Sequence, residues 1–325
     1  MTASVGKRRH VDKYSVAPFF SLFQIERTLH PTMEENKKLI LACAASAVVA
    51  SGITCIIRSR CCSGNSKKKQ QEDPQVMRER YESNALTRQY MEFHFTPSAE
   101  SFPYSASSSI KDAYDFPTRL AKKFRKFKPA KSGVVLDLGC AVGATSFELS
   151  KDFDQVIGID LSEAFIGMAN EVLKNGGIKY EAPDQGELSI PRSFTLGKDV
   201  NTSRIKFLVG DALNIDPALG KFDAVLGANL VCRVPDPEIL FQAFENRINE
   251  GGILVLVSPY SWSEEATHMN KWFGGCRGRR SEDAVKARLS DKFELLDERT
   301  EPFLIRDHTR RFQLGFSHCT VWRRK

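Results

Sequence analysis

The sequence predicts an α/β domain built on a doubly wound, mostly parallel seven-stranded sheet, preceded by a single transmembrane helix. Three observations carry this prediction. Short, continuous apolar runs alternate with helical patterns from Pro74 onward, acidic residues stand at the ends of those runs, and one uncharged stretch of nineteen residues precedes them in the 325-residue chain. The runs are Val134–Leu138, Val156–Ile159, Ile205–Val209, Ala224–Leu226 and Ile253–Val257, and such patterns suit parallel strands covered on both faces. Ala144–Lys151, Glu163–Leu173 and Pro237–Ile248 read as the helices between them, an alternation that implies right-handed crossovers. Phe293–Glu298 and Phe312–Trp322 add two C-terminal strands joined by a loop. Residues 175–203 interrupt the pattern with a polar stretch holding Pro183, Pro191 and two Gly-containing turns, read as an insertion near the ligand crevice. YESNALTRQYMEFHF, upstream of the first strand, reads as an amphipathic helix that carries Tyr81, Tyr90 and His94 as secondary candidates.

Residues 1–38 read as a basic, aromatic tail, 39–57 as the membrane span, 58–73 as a polar linker and 74–325 as the α/β domain. The span, LILACAASAVVASGITCII, would extend about 28 Å as a helix, close to a bilayer's hydrocarbon thickness. Lys37 and Lys38 precede it, and Arg58 and Arg60 follow. A secretory leader is the rival reading if translation begins at Met33. Positive residues after the span favour an α/β domain facing the cytosol, with Cys61 and Cys62 placed for S-palmitoylation.

Charge narrows the function. Residues 1–73 hold 12 Lys/Arg against 6 Asp/Glu, and the remainder 35 against 34. The domain therefore lacks the basic excess with which nucleic-acid binders neutralise phosphates, and no nucleic-acid partner is expected. The eight cysteines form no CxxC pair, so no metal is expected, and the thiols read as reduced.

The chemistry concentrates at four strand ends. In VVLDLGCAVGATSFEL a strand ends in Asp137, and Gly139, Cys140, Ala141 and Gly143 make a small-residue turn into a helix, where backbone can approach a ligand. In IGIDLS, Asp160 ends the next strand beside Leu161, placed to bind both hydroxyls of a ribose. In VGDALN, Asp211 can take an adenine amino group while the Ala212 amide meets a ring nitrogen. In FDAVLGANLVCRVPDP, Asp223 opens a strand and Asn229 follows its carboxyl end, where open α/β sheets bind ligands.

This order resembles class I S-adenosylmethionine-dependent methyltransferases, which are Rossmann-like. The wording is similar to one group, the C-terminal methyltransferase domain of bifunctional ovothiol synthases, assigned to N-methylation of a mercaptohistidine. The likeness rests on DLGCAVGATSFEL, FDQVIGIDLSEAFI, GANLVCRVPDP, GGILVLVSPYSW, KWFGG and PFLIRDHTRRFQLGFSHCTVWRR, with YESNALTRQYMEFHF and YDFPTRLA upstream, and covers about Tyr81 to Arg324. Ala141 stands where many methyltransferases have glycine, a change the group shares. The oxidative half of those synthases is missing, and none of the six histidines forms its HxxxHxE iron-binding run. The resemblance implies S-adenosyl-L-methionine as cofactor and a small thiol-imidazole amino acid as acceptor.

An acceptor of that kind needs a cation for its carboxylate. Arg233 and Arg306 are the expected clamps because guanidinium binds carboxylates in bidentate fashion. Trp262, Lys271, Trp272 and Phe303 are expected to wall the pocket, and Tyr260, His308 and His318 to orient the acceptor or act as base. No strong base is required, since a neutral imidazole nitrogen is already nucleophilic near pH 7. Two other readings are carried: a methyltransferase for a membrane-held or lipid-soluble acceptor, for which the span argues, and a non-catalytic cofactor-binding module.

Overall fold

The computed structural model describes residues 79–102, 110, 112–127 and 133–325. The expected membrane span, tail and linker lie outside the described residues. Among the described residues no helix is long and apolar enough to cross a membrane.

The expected runs become strands because their residues are buried on both faces. β1 (Val134–Leu138), β2 (Gln155–Asp160), β5 (Ile205–Val209), β6 (Phe222–Ala228) and β7 (Ile248–Ser258) pair in parallel, in the spatial order β5-β2-β1-β6-β7. β8 (Phe293–His308) and β9 (Arg311–Arg324) complete the seven-stranded sheet, β9 antiparallel to β7 and β8 antiparallel to β9 at the edge. Val135, Leu136, Val156, Leu226 and Val255 are all fully or almost fully buried in the sheet's interior.

Two helical layers cover the sheet. On one face lie α1 (Asn84–Phe95), α3 (Phe116–Phe127), α4 (Ala144–Leu149) and α5 (Glu163–Asn175), while α2 (Ser98–Ser101) is a single turn after α1. On the other lie α6 (Pro237–Arg247) and α7 (Ser281–Leu289). α3 presents Phe116, Pro117, Leu120, Ala121 and Phe124 to the core as an i, i+4, i+8 stripe, keeps Lys122, Arg125 and Lys126 exposed, and turns Arg119 and Lys123 onto the buried Glu301. Each such phenylalanine contributes about 1.5–3 kcal/mol by leaving water.

Two segments differ from the sequence-based expectation. The residues between the two C-terminal strands are not a loop: β8 runs on to His308 and turns at once into β9. Pro302 within it is tolerated because β8 is the edge strand, where a missing N–H need not break the sheet. Residues 175–203 fold into a two-stranded antiparallel ribbon of β3 (Gly177–Pro183) and β4 (Ser189–Thr195). This ribbon braces α1 and lines no part of the crevice described below: Phe194 stacks on Phe95 at 4.3 Å and the Tyr180 hydroxyl bonds Thr96.

The strand order reverses between β1 and β6. From β1 the chain moves outward through β2 to β5, then returns to the other side of β1 and continues outward through β6 and β7. A crevice opens at such a switch point, beyond the strands' carboxyl ends.

Candidate active site

The crevice encloses about 250 Å³ beyond β1, β2, β5 and β6. Its floor comes from the turns after those strands: Asp137, Gly139, Cys140 and Ala141, then Asp160, Leu161 and Ser162, then Gly210, Asp211 and Ala212, then Ala228, Asn229 and Leu230. Its roof comes from α1 and α3, with Tyr81 just ahead of α1 and Tyr90, Phe93, His94, Phe116, Pro117 and Leu120 within the helices. Arg233, Val234, Pro235, Glu265, Ala266 and Ile305 close one end.

The first turn is tight. Gly139 (φ 75°) and Ala141 (φ 48°) take left-handed backbone, and a Cβ on Gly139 would stand 3.2 Å from Leu230. Asp160 ties the first turn to the second strand. One of its carboxylate oxygens accepts from the Ala141 N–H (2.9 Å), the other from the Ser162 N–H (3.0 Å). Asp137 is buried beneath the turn and accepts a 2.6 Å hydrogen bond from the Ser146 hydroxyl. Burial pushes the Asp137 carboxyl up to about 7, so this group favours a cationic ligand that would restore its charge, and burial also raises the Asp160 carboxyl. Asp211 is exposed and its carboxylate accepts from the Leu213 N–H (2.8 Å), which shapes the third turn. Asn229 (φ 53°) donates its backbone N–H to the Val257 carbonyl and accepts from the Ser317 hydroxyl (2.8 Å).

Of the cofactor residues expected from the sequence, Gly143 alone stands off the crevice. A Cβ there would meet the Phe207 ring at 2.5 Å, so this glycine serves packing between α4 and β5. Asp223, the fourth strand-end acid, faces away from the site: it accepts from the Val134 N–H (2.9 Å) and the Asn249 amide (2.9 Å), and staples β6 to the start of β1.

A family model described as a methyltransferase domain matches residues 111–287, more than half of the chain. The chain belongs to this methyltransferase family. Phosphoethanolamine N-methyltransferase 2 of Caenorhabditis elegans is 28% identical over 148 residues, 45% of this chain, and the match spans only 28% of that relative's length. Among solved structures, the magnesium protoporphyrin IX methyltransferase of Synechocystis PCC 6803 with bound SAM superposes with a TM-score of 0.47 at 14% identity, over 77% of this chain and 96% of that one. The PH0226 protein of Pyrococcus horikoshii OT3 gives 0.42 at 20% identity, over 70% and 98%.

The enzyme is an S-adenosylmethionine-dependent methyltransferase. The donor set of the crevice fits that cofactor: buried and half-buried carboxyls for an ammonium and for ribose hydroxyls, and a turn in left-handed backbone close enough to admit a ligand.

Among the residues expected to handle the acceptor, the structure keeps Arg233 in the crevice and moves the others out. Arg306 is 3% exposed and paired with Glu92 (3.0 Å), so it cannot clamp a substrate. Tyr260 and His318 do meet, at 2.9 Å, and His318 continues to Glu298 (2.9 Å), but this chain of contacts lies on the α7 side of the sheet, off the crevice. Trp262 stacks on Trp272 (6.1 Å) and bonds Ser281, while Trp272 bonds the Thr267 carbonyl. Lys271 pairs with Asp236 (2.8 Å). Phe303 is buried against Phe116, and His308 accepts from the Arg310 N–H in the β8–β9 turn. These contacts hold the expected acceptor residues away from the crevice, whose lining includes residues of α1 and α3 together with Arg233 and Glu265. Sequence reasoning passed over Phe93, Phe116, Thr145, Glu265 and Ile305. The apolar stripe of FPTRLAKKF was the available signal for Phe116, while nothing local marks Glu265.

Proposed function

We propose that this methyltransferase N-methylates a small thiol-imidazole amino acid such as a mercaptohistidine. The observation that carries the reading is the composition of the crevice lining. Tyr81, Tyr90, Phe93 and Phe116 offer aromatic faces, and Arg233 is the single Lys or Arg among the described lining residues. A flat imidazole suits the aromatic walls, Arg233 suits a carboxylate and Glu265 an ammonium. Arg233 is held in place by donating to the Ser261 carbonyl (2.7 Å) and the Cys232 carbonyl (3.1 Å). The sequence likeness to the methyltransferase domain of ovothiol synthases supports the same acceptor class.

On this reading Asp160 binds the ribose, Asp211 and the Ala212 amide bind adenine, and Asp137 meets the amino-acid end of the cofactor. Gly139, Cys140, Ala141, Leu161 and Asn229 shape the walls. S-adenosylmethionine supplies the methyl group as a sulfonium. The chain aligns nucleophile and methyl and excludes water under α1 and α3. A neutral imidazole nitrogen attacks directly, so no side chain has to remove a proton before transfer.

Arg233→Gln should raise the Michaelis constant for a carboxylated thiol-imidazole about tenfold or more, with cofactor affinity unchanged. The decarboxylated analogue should lose far less. Equal effects on both acceptors would remove Arg233 from the carboxylate. Failure of the wild-type domain to methylate any thiol-imidazole, with turnover of phosphoethanolamine or a lipid instead, would overturn the acceptor class.

The same proposal places the enzyme on a membrane through residues 39–57, with the catalytic domain in the cytosol. It is supported by the uncharged run and its flanking lysines and arginines. The intact chain should resist carbonate extraction from membranes, and a chain starting at residue 74 should not. Recovery of unprocessed full-length chain in the soluble fraction would reject the anchor.

A further inference from the structure

His94, on the last turn of α1, lines the crevice and faces the backbone N–H of Ala144, which donates to its Nδ1 at 3.3 Å. A backbone amide can only donate, so this contact settles which ring nitrogen carries the lone pair. In the neutral ring the hydrogen is then on Nε2. Aromatic neighbours restrain the ring on several sides: Phe93 at 5.4 Å, Tyr90 at 6.0 Å and Phe95 at 6.2 Å between centroids. Burial keeps the imidazole uncharged, its pKa pushed down to about 3. His94 therefore cannot serve as a general base toward the crevice, because one nitrogen is engaged and the other already holds its proton.

The lining elsewhere is rich in carboxyls: Asp137, Asp160, Asp211 and Glu265. Any carboxylate brought in by a ligand must find donors among few groups, and Arg233 stands at the closed end with Val234, Pro235 and Glu265. Beside Ala144, Thr145 and His94 both line the crevice, and Asp137 bonds Ser146 one residue further on. This stretch therefore sets a carboxyl that favours an ammonium, Asp137, and a neutral imidazole, His94, along one lining of the crevice.

We infer that His94 acts in the crevice as a fixed hydrogen-bond donor, holding the carboxylate of a bound amino-acid group through Nε2–H. Two ligands carry such a group, the amino-acid end of the cofactor and an amino-acid acceptor, and the first is independent of the acceptor proposed above. His94 is a positioning residue in either case. Its neutral N–H gives direction without adding a cation near the sulfonium.

The test uses S-adenosylhomocysteine as probe, with its decarboxylated analogue as control, in calorimetry on the full chain in detergent. His94→Leu should weaken S-adenosylhomocysteine about tenfold or more and leave the analogue's affinity unchanged. His94→Gln, which keeps an amide N–H near the Nε2 position, should restore most of the loss, and imidazole nitrogen NMR should show Nε2 protonated from pH 5 to 8. If S-adenosylhomocysteine binding is unmoved but the Michaelis constant of a carboxylated acceptor rises while that of its decarboxylated form does not, the carboxylate belongs to the acceptor, and the donor role stands. Equal losses on carboxylated and decarboxylated probes in folded His94→Leu, or a proton found on Nδ1, would overturn the inference. Because the calorimetric arm needs no acceptor, its outcome is separate from the success or failure of the thiol-imidazole reading.

Discussion

Replacing Arg306 by methionine should lower the thermal midpoint of the catalytic domain by roughly 10 °C and leave cofactor affinity unchanged. The Glu92 side chain is wholly buried, and Arg306 is its close partner at 3.0 Å; Arg306 also donates to Thr309 (2.8 Å), itself bonded to Asp184 of the ribbon turn. Stripping one partner from a buried pair costs about 3–5 kcal/mol, because the remaining charge is left without compensation. Arg192 approaches Glu92 at 3.7 Å and softens the loss, which favours the lower end of that range. At about 2–4 °C per kcal/mol for a domain of 150–250 residues, the shift follows. The paired variant Glu92→Gln, Arg306→Met should recover much of it. A variant with an unchanged midpoint but a raised Michaelis constant for the acceptor would return Arg306 to the role of clamp.

Asp160→Ala should weaken S-adenosylmethionine by about a hundredfold while the domain stays folded. Its carboxylate is placed to accept from a ligand at the crevice wall, and it also accepts from the N–H groups of Ala141 and Ser162. The substitution thus removes a ligand contact and loosens the turn that carries Gly139 to Ala141. A hydrogen bond to a charged group contributes about 1.5–3 kcal/mol, and two effects of that order give the expected factor. Asp160→Asn, which keeps one acceptor oxygen, should fall between. Calorimetry that finds the alanine variant within threefold of wild type, with its melting cooperative, would remove Asp160 from the donor site.

The two substitutions differ in how visible their consequences are from sequence. Asp160 closes an apolar run and precedes Leu161 and Ser162, so its position at a strand end can be read from the residues beside it. Arg306 sits in FLIRDH near other basic residues and looks as free as Arg233. Its partner Glu92 is 214 residues away, and only the packing of α1 against β8 brings them together.

The same distinction explains the remaining sites. Tyr260 and His318 both look like candidates in the sequence, and they do touch, but alternation along a strand cannot tell which face of the sheet holds the crevice. Trp262, Trp272 and Lys271 look like pocket residues until α6 and α7 supply their neighbours. Conversely, α1 and α3 roof the crevice because their apolar stripes dock on the β1 side, which brings Tyr81, Tyr90, His94 and Phe116 over a floor formed by residues far along the chain.

Local spacing in the sequence by itself determined the alternating strands and helices, the order of the strand-end acids and the residues on the crevice floor, because each depends on neighbours a few positions apart and on buried runs that have only one compatible layer. Tertiary structure alone decided which cations stay free, on which side of the sheet each aromatic falls, and which histidine faces the crevice with its tautomer set. Those outcomes depend on desolvation and on partners separated by tens to hundreds of residues, and a one-dimensional pattern carries no record of either.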